Sequence, residues 1–330
     1  LETQPQLDFI AIGDTVIDAF IKISVGHIQE TAHGPELCIP YGMKVPFDDV
    51  TILAAVGNSA NAAVSASRLG LTSGLLSYVG ADAYGKECIE KLKSEKVETK
   101  FIQQEEGKKT NYHYVLWFGD ERTILIKHET FTPVLPDLGN PKWIYLSSLG
   151  KHTLPMHFEL IKYLDEHPDI KLAFQPGTFQ LGFKQEIADL YKHTDVVCMN
   201  KEEAQGLLGT EESDIKHLLD GLHAWGPTIV LITDGHSGSY MKYENTYFNM
   251  PIYPDINPPY ERTGAGDAFF STFVSFLARG FDAPYALVRA PINSMNVVQH
   301  VGAQEGLLTE GELDALLEKA PAEYLLKILD

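Results

Sequence analysis

Cysteine is scarce in this chain: Cys38, Cys88 and Cys198 are the only three, and none lies in a CxxC or Cys/His spacing. That scarcity argues against a disulfide framework and a structural zinc site, and makes a reducing cytoplasm the expected home. Long apolar runs are also missing. No window reaches the roughly 18 apolar residues of a membrane-spanning helix, and the first residues hold no basic stretch leading into an apolar core. Positive charge is in short supply, with 26 Lys plus Arg against 45 Asp plus Glu and a formal charge of -19. A surface of that sign repels phosphate backbones and anionic membranes, so neither nucleic acid nor membrane is expected as a partner. An anionic small molecule can still be bound where amide dipoles, a few basic side chains and a divalent cation offset charge locally. Internal repeats and low-complexity tracts are absent as well.

What is present is ample apolar material: 330 residues, 44% of them hydrophobic, are enough to bury a large core. Short apolar runs alternate with helical patterns, which reads as α/β with a mostly parallel sheet. Strands are expected at Leu7 to Gly13, Leu75 to Gly80, Trp143 to Ser147, Lys171 to Phe174, Asp195 to Met199 and Thr228 to Ile232. Helical spacing marks Ser59 to Leu69, Tyr84 to Lys96, Pro155 to Glu166, Glu202 to Leu208 and Ser213 to His223. Two stretches break the rhythm. Ile21 to Leu53 is rich in Pro and Gly, and Lys108 to Phe131 alternates as a strand does. The expectation is a core from residues 1–20, 54–108 and 132–330, with 21–53 and 109–131 pairing into a small β-sheet lid. Two ornamental hairpins are the plainer alternative.

The most informative segment is ERTGAGDAFF, Glu261 to Phe270. Phe269, Phe270, Phe273, Val274, Phe276 and Leu277 recur at helical spacing and Gly280 offers a stop, so Gly264, Ala265 and Gly266 sit at a helix N-terminus. Unpaired backbone N–H groups and the helix dipole favour an anion there, and the missing side chains allow close approach. Asp267 lies in the first turn, placed to accept a proton from an attacking hydroxyl, or simply to cap the helix. A second glycine turn carries Gly57, Asn58 and Asn61, whose amides suit a polyhydroxy ligand or plain capping. Asp18 in GDTVID is a carboxylate that suits two sugar hydroxyls or solvent. Asn200 and Glu203 in NKEE, and Thr233, Gly235 and Gly238 in TDGHSG, follow apolar runs at the strand ends where open parallel sheets bind ligands.

In this order, GDTVID, GNSAN, NKEE, TDGHSG and ERTGAGDAFF resemble the PfkB/ribokinase-type family of carbohydrate kinases, from about Leu7 to Gly306. The resemblance implies a ribokinase-like α/β fold with a Rossmann-like, mostly parallel sheet flanked by helices and a β lid. It implies ATP as donor, Mg2+ as helper, Asp267 as base and the Gly264–Gly266 turn as anion hole. It further implies sugar contacts at Asp18, Gly57, Asn58 and Asn61, and nucleotide contacts at Asn200, Thr233, Gly235, Gly238 and Asn293. Glu203 matches the magnesium-linked carboxylate. Where some members have an Asp that ligates a monovalent cation with the Thr matching Thr263, this chain has Glu261, which leaves K+ dependence open.

Further departures concern the acceptor. Asn58 replaces a second glycine, Val16 and Ser147 stand where ribokinases proper have Asn and an acid, and Gln175 to Gly177 differ from a fructokinase-type turn. A small sugar is the expected acceptor. Nucleosides are the rival, with Tyr41, Phe47, Tyr112 and Trp117 as base-stacking candidates. Sugar phosphates, with Lys44, Arg122, Lys127 or Lys151 on the phosphate, and a non-catalytic sugar or nucleotide sensor are the other readings. An exposed lid edge is expected to pair two copies into a homodimer.

Overall fold

Apolar residues on both faces of short runs can be buried only where helices cover a sheet from two sides, and that is how these runs fold. The computed structural model describes residues 6–32, 34–119, 121–260 and 262–329. Its large sheet has ten strands in the order Lys327–Leu329, Thr246–Met250, Ser239–Tyr243, Ile229–Thr233, Val196–Asn200, Lys171–Phe174, Trp143–Leu146, Phe9–Ile12, Ser73–Gly80 and Ile102–Glu105. From Ile229–Thr233 to Ile102–Glu105 all neighbours pair in parallel, and the remaining edge is antiparallel.

Side chains alternate between faces along a strand, so one run feeds two cores. Phe9, Ala11, Trp143, Tyr145 and Ala173 join the core beneath the helices Asn58–Arg68, Ala265–Ala278 and Ala283–Val297. Ile10, Ile12, Ile144, Leu146 and Leu172 join the opposite core, beneath Leu154–Glu166, Lys201–Leu208 and Ile215–His223.

Two helices set the position of the chemistry. Ala265–Ala278 is buried on every face from Asp267 to Phe276, and its Ser275 hydroxyl satisfies itself on the Ser271 carbonyl at 2.6 Å. Asn58–Arg68 is lined by Ala60, Ala62, Ala63 and Ala66, all fully buried, and packs directly against it. Small side chains permit that close approach. The N-termini of the two helices consequently meet.

A separate four-stranded sheet has the order Asp49–Val56, Val16–Lys22, Tyr112–Phe118 and Glu121–Leu125. Strands from the two irregular stretches share this sheet, joined through Val16–Lys22. Its strands cross the expected limits at residues 20/21 and 53/54, because Val16–Lys22 turns away from the large sheet immediately after Phe9–Ile12. His27–Thr31 and Gly34–Cys38 form a two-stranded hairpin of their own, which the sequence pattern did not separate from the rest.

Register gives the small sheet two distinct faces. Asp18 pairs with His113 and Leu53, and Lys22 with Trp117, so Asp18, Leu53, His113 and Trp117 share one face. Ile52, Tyr114 and Leu125 occupy the other and are exposed. The first face is turned toward the large domain: Trp117 meets Tyr260 edge-on at a ring separation of 4.9 Å, and Leu53 lies against Gly302.

Candidate active site

Gly264 caps the helix Ala265–Ala278 with φ +80, a left-handed conformation that glycine adopts without strain. A Cβ on it would come within 2.3 Å of the Ala303 Cβ, so both conformation and space require glycine. Ala268 N–H is the first helical amide to reach back, to the Gly264 carbonyl at 2.8 Å. The amides ahead of it lie in the turn that a helix leaves without intrahelical acceptors. A Cβ at Gly266 would meet nothing closer than Gln175 Nε2 at 3.7 Å, so the turn is open on that side.

Asp267 is buried in the first turn and is held by side-chain amides. Asn58 Nδ2 donates to Oδ1 at 3.0 Å, Asn61 Nδ2 to Oδ2 at 2.8 Å, and Gln175 Nε2 reaches Oδ1 at 3.4 Å. Burial raises its pKa to about 6, against the lowering effect of the bonds from Asn61, Gln175 and Asn58. At neutral pH the carboxylate is therefore ionised, yet basic enough to take a proton.

A second layer fixes the amides. Gln304 Nε2 donates to Asn61 Oδ1 at 3.1 Å and to the Ala55 carbonyl, which sets the orientation of the Asn61 amide. Tyr145 O–H donates to Gln175 Oε1 at 2.5 Å, so the Gln175 NH2 is the end facing Asp267. Burial and the charge of Asp267 push the Tyr145 phenol well up, which keeps it a donor. Gln175 follows the strand Lys171–Phe174 at its carboxyl end, the signal by which it is recognisable as a site residue. The pattern pointed to Gln175 only as a departure, and it gave no sign of Tyr145 or Gln304.

The predicted positions fall into two groups around Asp267. Thr233, Gly235 and Gly238 line one cavity together with Arg262, Ala265 and Gly266, so the TDGHSG turn and the anion turn share one space. Asn293 does not face it: the side chain is fully buried, donating to Thr272 Oγ1 at 2.8 Å and accepting from Leu308 N–H at 3.0 Å. Its helix presents Ser294, Met295 and Val298 to the cavity instead, and the assignment of Asn293 to a nucleotide contact is corrected to a structural one. Asn200 caps the helix Lys201–Leu208, its Oδ1 accepting from Glu203 N–H while Glu203 Oε2 accepts from Asn200 N–H. Burial raises the Glu203 pKa, the bond from the Asn200 N–H opposes the rise, and the charge of Glu202 adds to it. Thr263 stands beside the anion turn, and Glu261 lies outside the described residues.

On the other side of Asp267 lies the small sheet. Gly57, at φ +115, passes so close to the Asp14 carbonyl that a Cβ would sit 2.8 Å from it. Asp14 is thereby fixed beside the Asn58 turn, and Asp18 follows on the strand, 3.3 Å from His113 Nδ1. Asn58 and Asn61, expected on the sugar, are directed at the Asp267 carboxylate.

Comparison with known proteins bears on the fold and the family. The structure of Arabidopsis thaliana ribokinase complexed with ribose and ATP superposes with a TM-score of 0.79 at 19% identity, covering 95% of this chain and 99% of that one. The fold is thus the ribokinase-like α/β fold. A family model described as pfkB family carbohydrate kinase matches residues 50–310, and the chain belongs to that family. Among curated relatives, a ribokinase of Bacillus subtilis is 29% identical over 270 residues, 79% of this chain and 87% of that protein. A nucleoside kinase of Methanocaldococcus jannaschii is 24% identical over 273 residues, 80% of this chain and 85% of that protein.

Proposed function

We propose that this chain transfers the γ-phosphoryl of ATP to a hydroxyl of a small sugar, with Asp267 as the base. The observation that carries this reading is the buried, amide-clamped Asp267 in the first turn of the helix whose N-terminus opens into the cavity of Thr233, Gly235 and Gly238. ATP lies in that cavity with its terminal phosphate toward Gly264–Gly266. The acceptor hydroxyl gives its proton to Asp267 as its oxygen bonds to the γ-phosphorus, and the bond to the β-γ bridging oxygen breaks to release ADP. The turn amides stabilise the charge that spreads over the transferring group. Glu203 Oε1 has no hydrogen bond among the described residues and would hold Mg2+ through water. Bound there, Mg2+ would supply positive charge to offset that of the nucleotide phosphates.

A sugar is favoured over a nucleoside by the aromatics. Tyr41 is fully exposed and Phe47 largely so, while Tyr112 packs on Tyr84 and Tyr114 away from the Asp18 face, which leaves Trp117 alone of the four on that face. The small sheet acts as the lid, excluding water from the transfer. Its outer face, with Val50, Ile52, Tyr114 and Leu125 exposed, is apolar enough to bury against a second copy, giving a homodimer. A monomeric mass by light scattering at micromolar concentration sinks the dimer. The unpaired thiols Cys38, Cys88 and Cys198 suit a reducing cytoplasm. The kinase reading is tested by ADP release with sugars, sugar phosphates and nucleosides as acceptors. Release that needs a sugar and disappears in Asp267→Asn is expected, and release in which Asp267→Asn matches the wild type overturns it.

A further inference from the structure

The small sheet and the loops that flank it carry a group of side chains that the transfer reaction leaves unused. His113 Nδ1 lies 3.3 Å from Asp18 Oδ1, and His128 Nδ1 lies 3.8 Å from Asp14 Oδ2. The two imidazoles meet edge-on at a ring separation of 5.2 Å, joining both pairs into one cluster. Asn111 builds it from below: its carbonyl accepts from Ile17 N–H, next to Asp18, and its Oδ1 accepts from Glu129 N–H, next to His128.

Two atoms of this cluster are buried without hydrogen-bond partners among the described residues: Asp18 Oδ1 and His113 Nε2. The His113 ring is close to Asp18 but not aligned to bond it. A buried polar atom left unpaired costs on the order of 1–3 kcal/mol, so such atoms persist where something else pairs them. The Leu53 contact with Gly302 and the Gly57 contact with Asp14 hold this face against the turns that carry Asp267.

We infer that His113 and His128, paired with Asp18 and Asp14, are the residues that select the acceptor, and that they select an uncharged polyol presenting adjacent hydroxyls. This rests on the kinase reading above. In the tautomer that carries its proton on Nδ1, the atom nearer Asp18, His113 offers Nε2 as an acceptor beside the acceptor oxygens of Asp18, and neighbouring hydroxyls donate to both. An acidic or phosphorylated acceptor meets three carboxylates instead, those of Asp14, Asp18 and Asp267. Two of the nearby cations are engaged elsewhere: Lys108 lies 3.8 Å from Glu129, and Lys22 sits over the Trp117 ring at 5.0 Å. Burial, then the neighbouring His113 and His152, pushes the His128 pKa down, so His128 brings no positive charge at neutral pH.

The experiment measures binding and transfer separately. Isothermal titration of D-ribose, D-fructose, D-gluconate and fructose 6-phosphate is done on the wild type, His113→Ala and His128→Ala, with ADP binding as a check on the fold. An uncharged sugar is expected to bind best. His113→Ala weakens it about tenfold, the loss of one buried hydrogen bond, and raises acceptor KM in proportion with kcat and ADP affinity little changed. His128→Ala, at a half-exposed site, costs about threefold. If His113→Ala does not fold, His113→Gln replaces it, and a changed ranking of D-ribose against D-arabinose is expected. Acceptor affinity within twofold of wild type in the His113 variant overturns the inference, as does tighter binding of D-gluconate or fructose 6-phosphate. A wild type that binds the sugar through His113 but releases no ADP sinks the kinase reading and leaves this inference standing.

Discussion

The two halves of the cleft are made of different material. On the proposed nucleotide side the groups assigned to the phosphates are backbone: the turn amides at Gly264–Gly266, with Gly235 and Gly238 at positive φ in the facing turn. On the proposed acceptor side they are side chains: Asp18 and His113 on strands of a separate sheet, with Asp14 just ahead of one strand and His128 just past another. A site made from backbone binds what every nucleotide shares, its phosphates, and is set by the large core. A site made from side chains can be rewritten by single substitutions without disturbing that core. On the proposed reading, donor chemistry falls in the half set by the large core and acceptor choice in the half set by side chains.

Asp267 stands at the boundary, and changing it gives the largest effect. Asp267→Asn is expected to lower kcat by about 10²–10⁴, the contribution of a positioned general base. Its melting temperature should not fall with its activity. Burial has raised the carboxyl pKa to about 6, so stability from this group is complete below its ordinary pKa of 3.8 and is lost as pH rises through about 6. At neutral pH the charged form is therefore a cost that the amide removes, although the new NH2 faces an Asn58 or Asn61 donor. A variant that unfolds at neutral pH contradicts this account of Asp267. Next in size is Gly264→Ala, where the added Cβ meets Ala303 and φ is +80. A loss of about 10- to 100-fold in kcat and about 1–3 kcal/mol in stability is expected, measured by steady-state rates and urea unfolding. An unaffected kcat would move the anion site away from this turn.

The same division explains what was legible in the sequence. Backbone sites leave local marks, because a turn that needs positive φ or an empty Cβ position needs glycine, and the glycines of TGAGD and TDGHSG stand together in the chain. The parallel sheet was equally legible from apolar runs such as Lys171–Phe174. The acceptor half is marked at Asp18 in GDTVID but not at Asp14, His113 or His128. Asp18 and His113 are strand neighbours through a pairing that spans most of a hundred residues, and neither residue type is unusual where it stands. Asn293 misled for the opposite reason: an amide near the expected pocket faces Thr272, one helix over, and only helical phase decides that.

The boundary between the halves is sharpened by Gln175, which touches the base from the large core. Its bond to Asp267 lowers the carboxylate pKa, so Gln175→Leu is expected to raise it. The sign follows directly: the base must be ionised, wild-type kcat falls below about pH 6, and in the variant that fall begins at a higher pH. At pH 6.5 the variant should be slower by about threefold to tenfold, with the difference narrowing toward pH 8. A rate deficit independent of pH would assign Gln175 to packing alone.

Trp117→Ala is expected to have the smallest effect, and it tests whether the halves communicate. Trp117 is the side chain through which the small sheet touches Tyr260, and Tyr260 N–H donates to the Val298 carbonyl at 2.7 Å, where Val298 lines the nucleotide cavity. An edge-to-face aromatic contact is worth about 0.5–1.5 kcal/mol beyond the area it buries. Its loss should raise acceptor KM by about two- to tenfold and weaken the mutual enhancement of ATP and acceptor binding by the same factor, since coupling between two ligands is reciprocal. Titrating each ligand with and without a saturating concentration of the other measures that factor. Equal coupling in variant and wild type would show that the sheet closes over the acceptor without reporting to the nucleotide side, and would leave the two halves energetically independent.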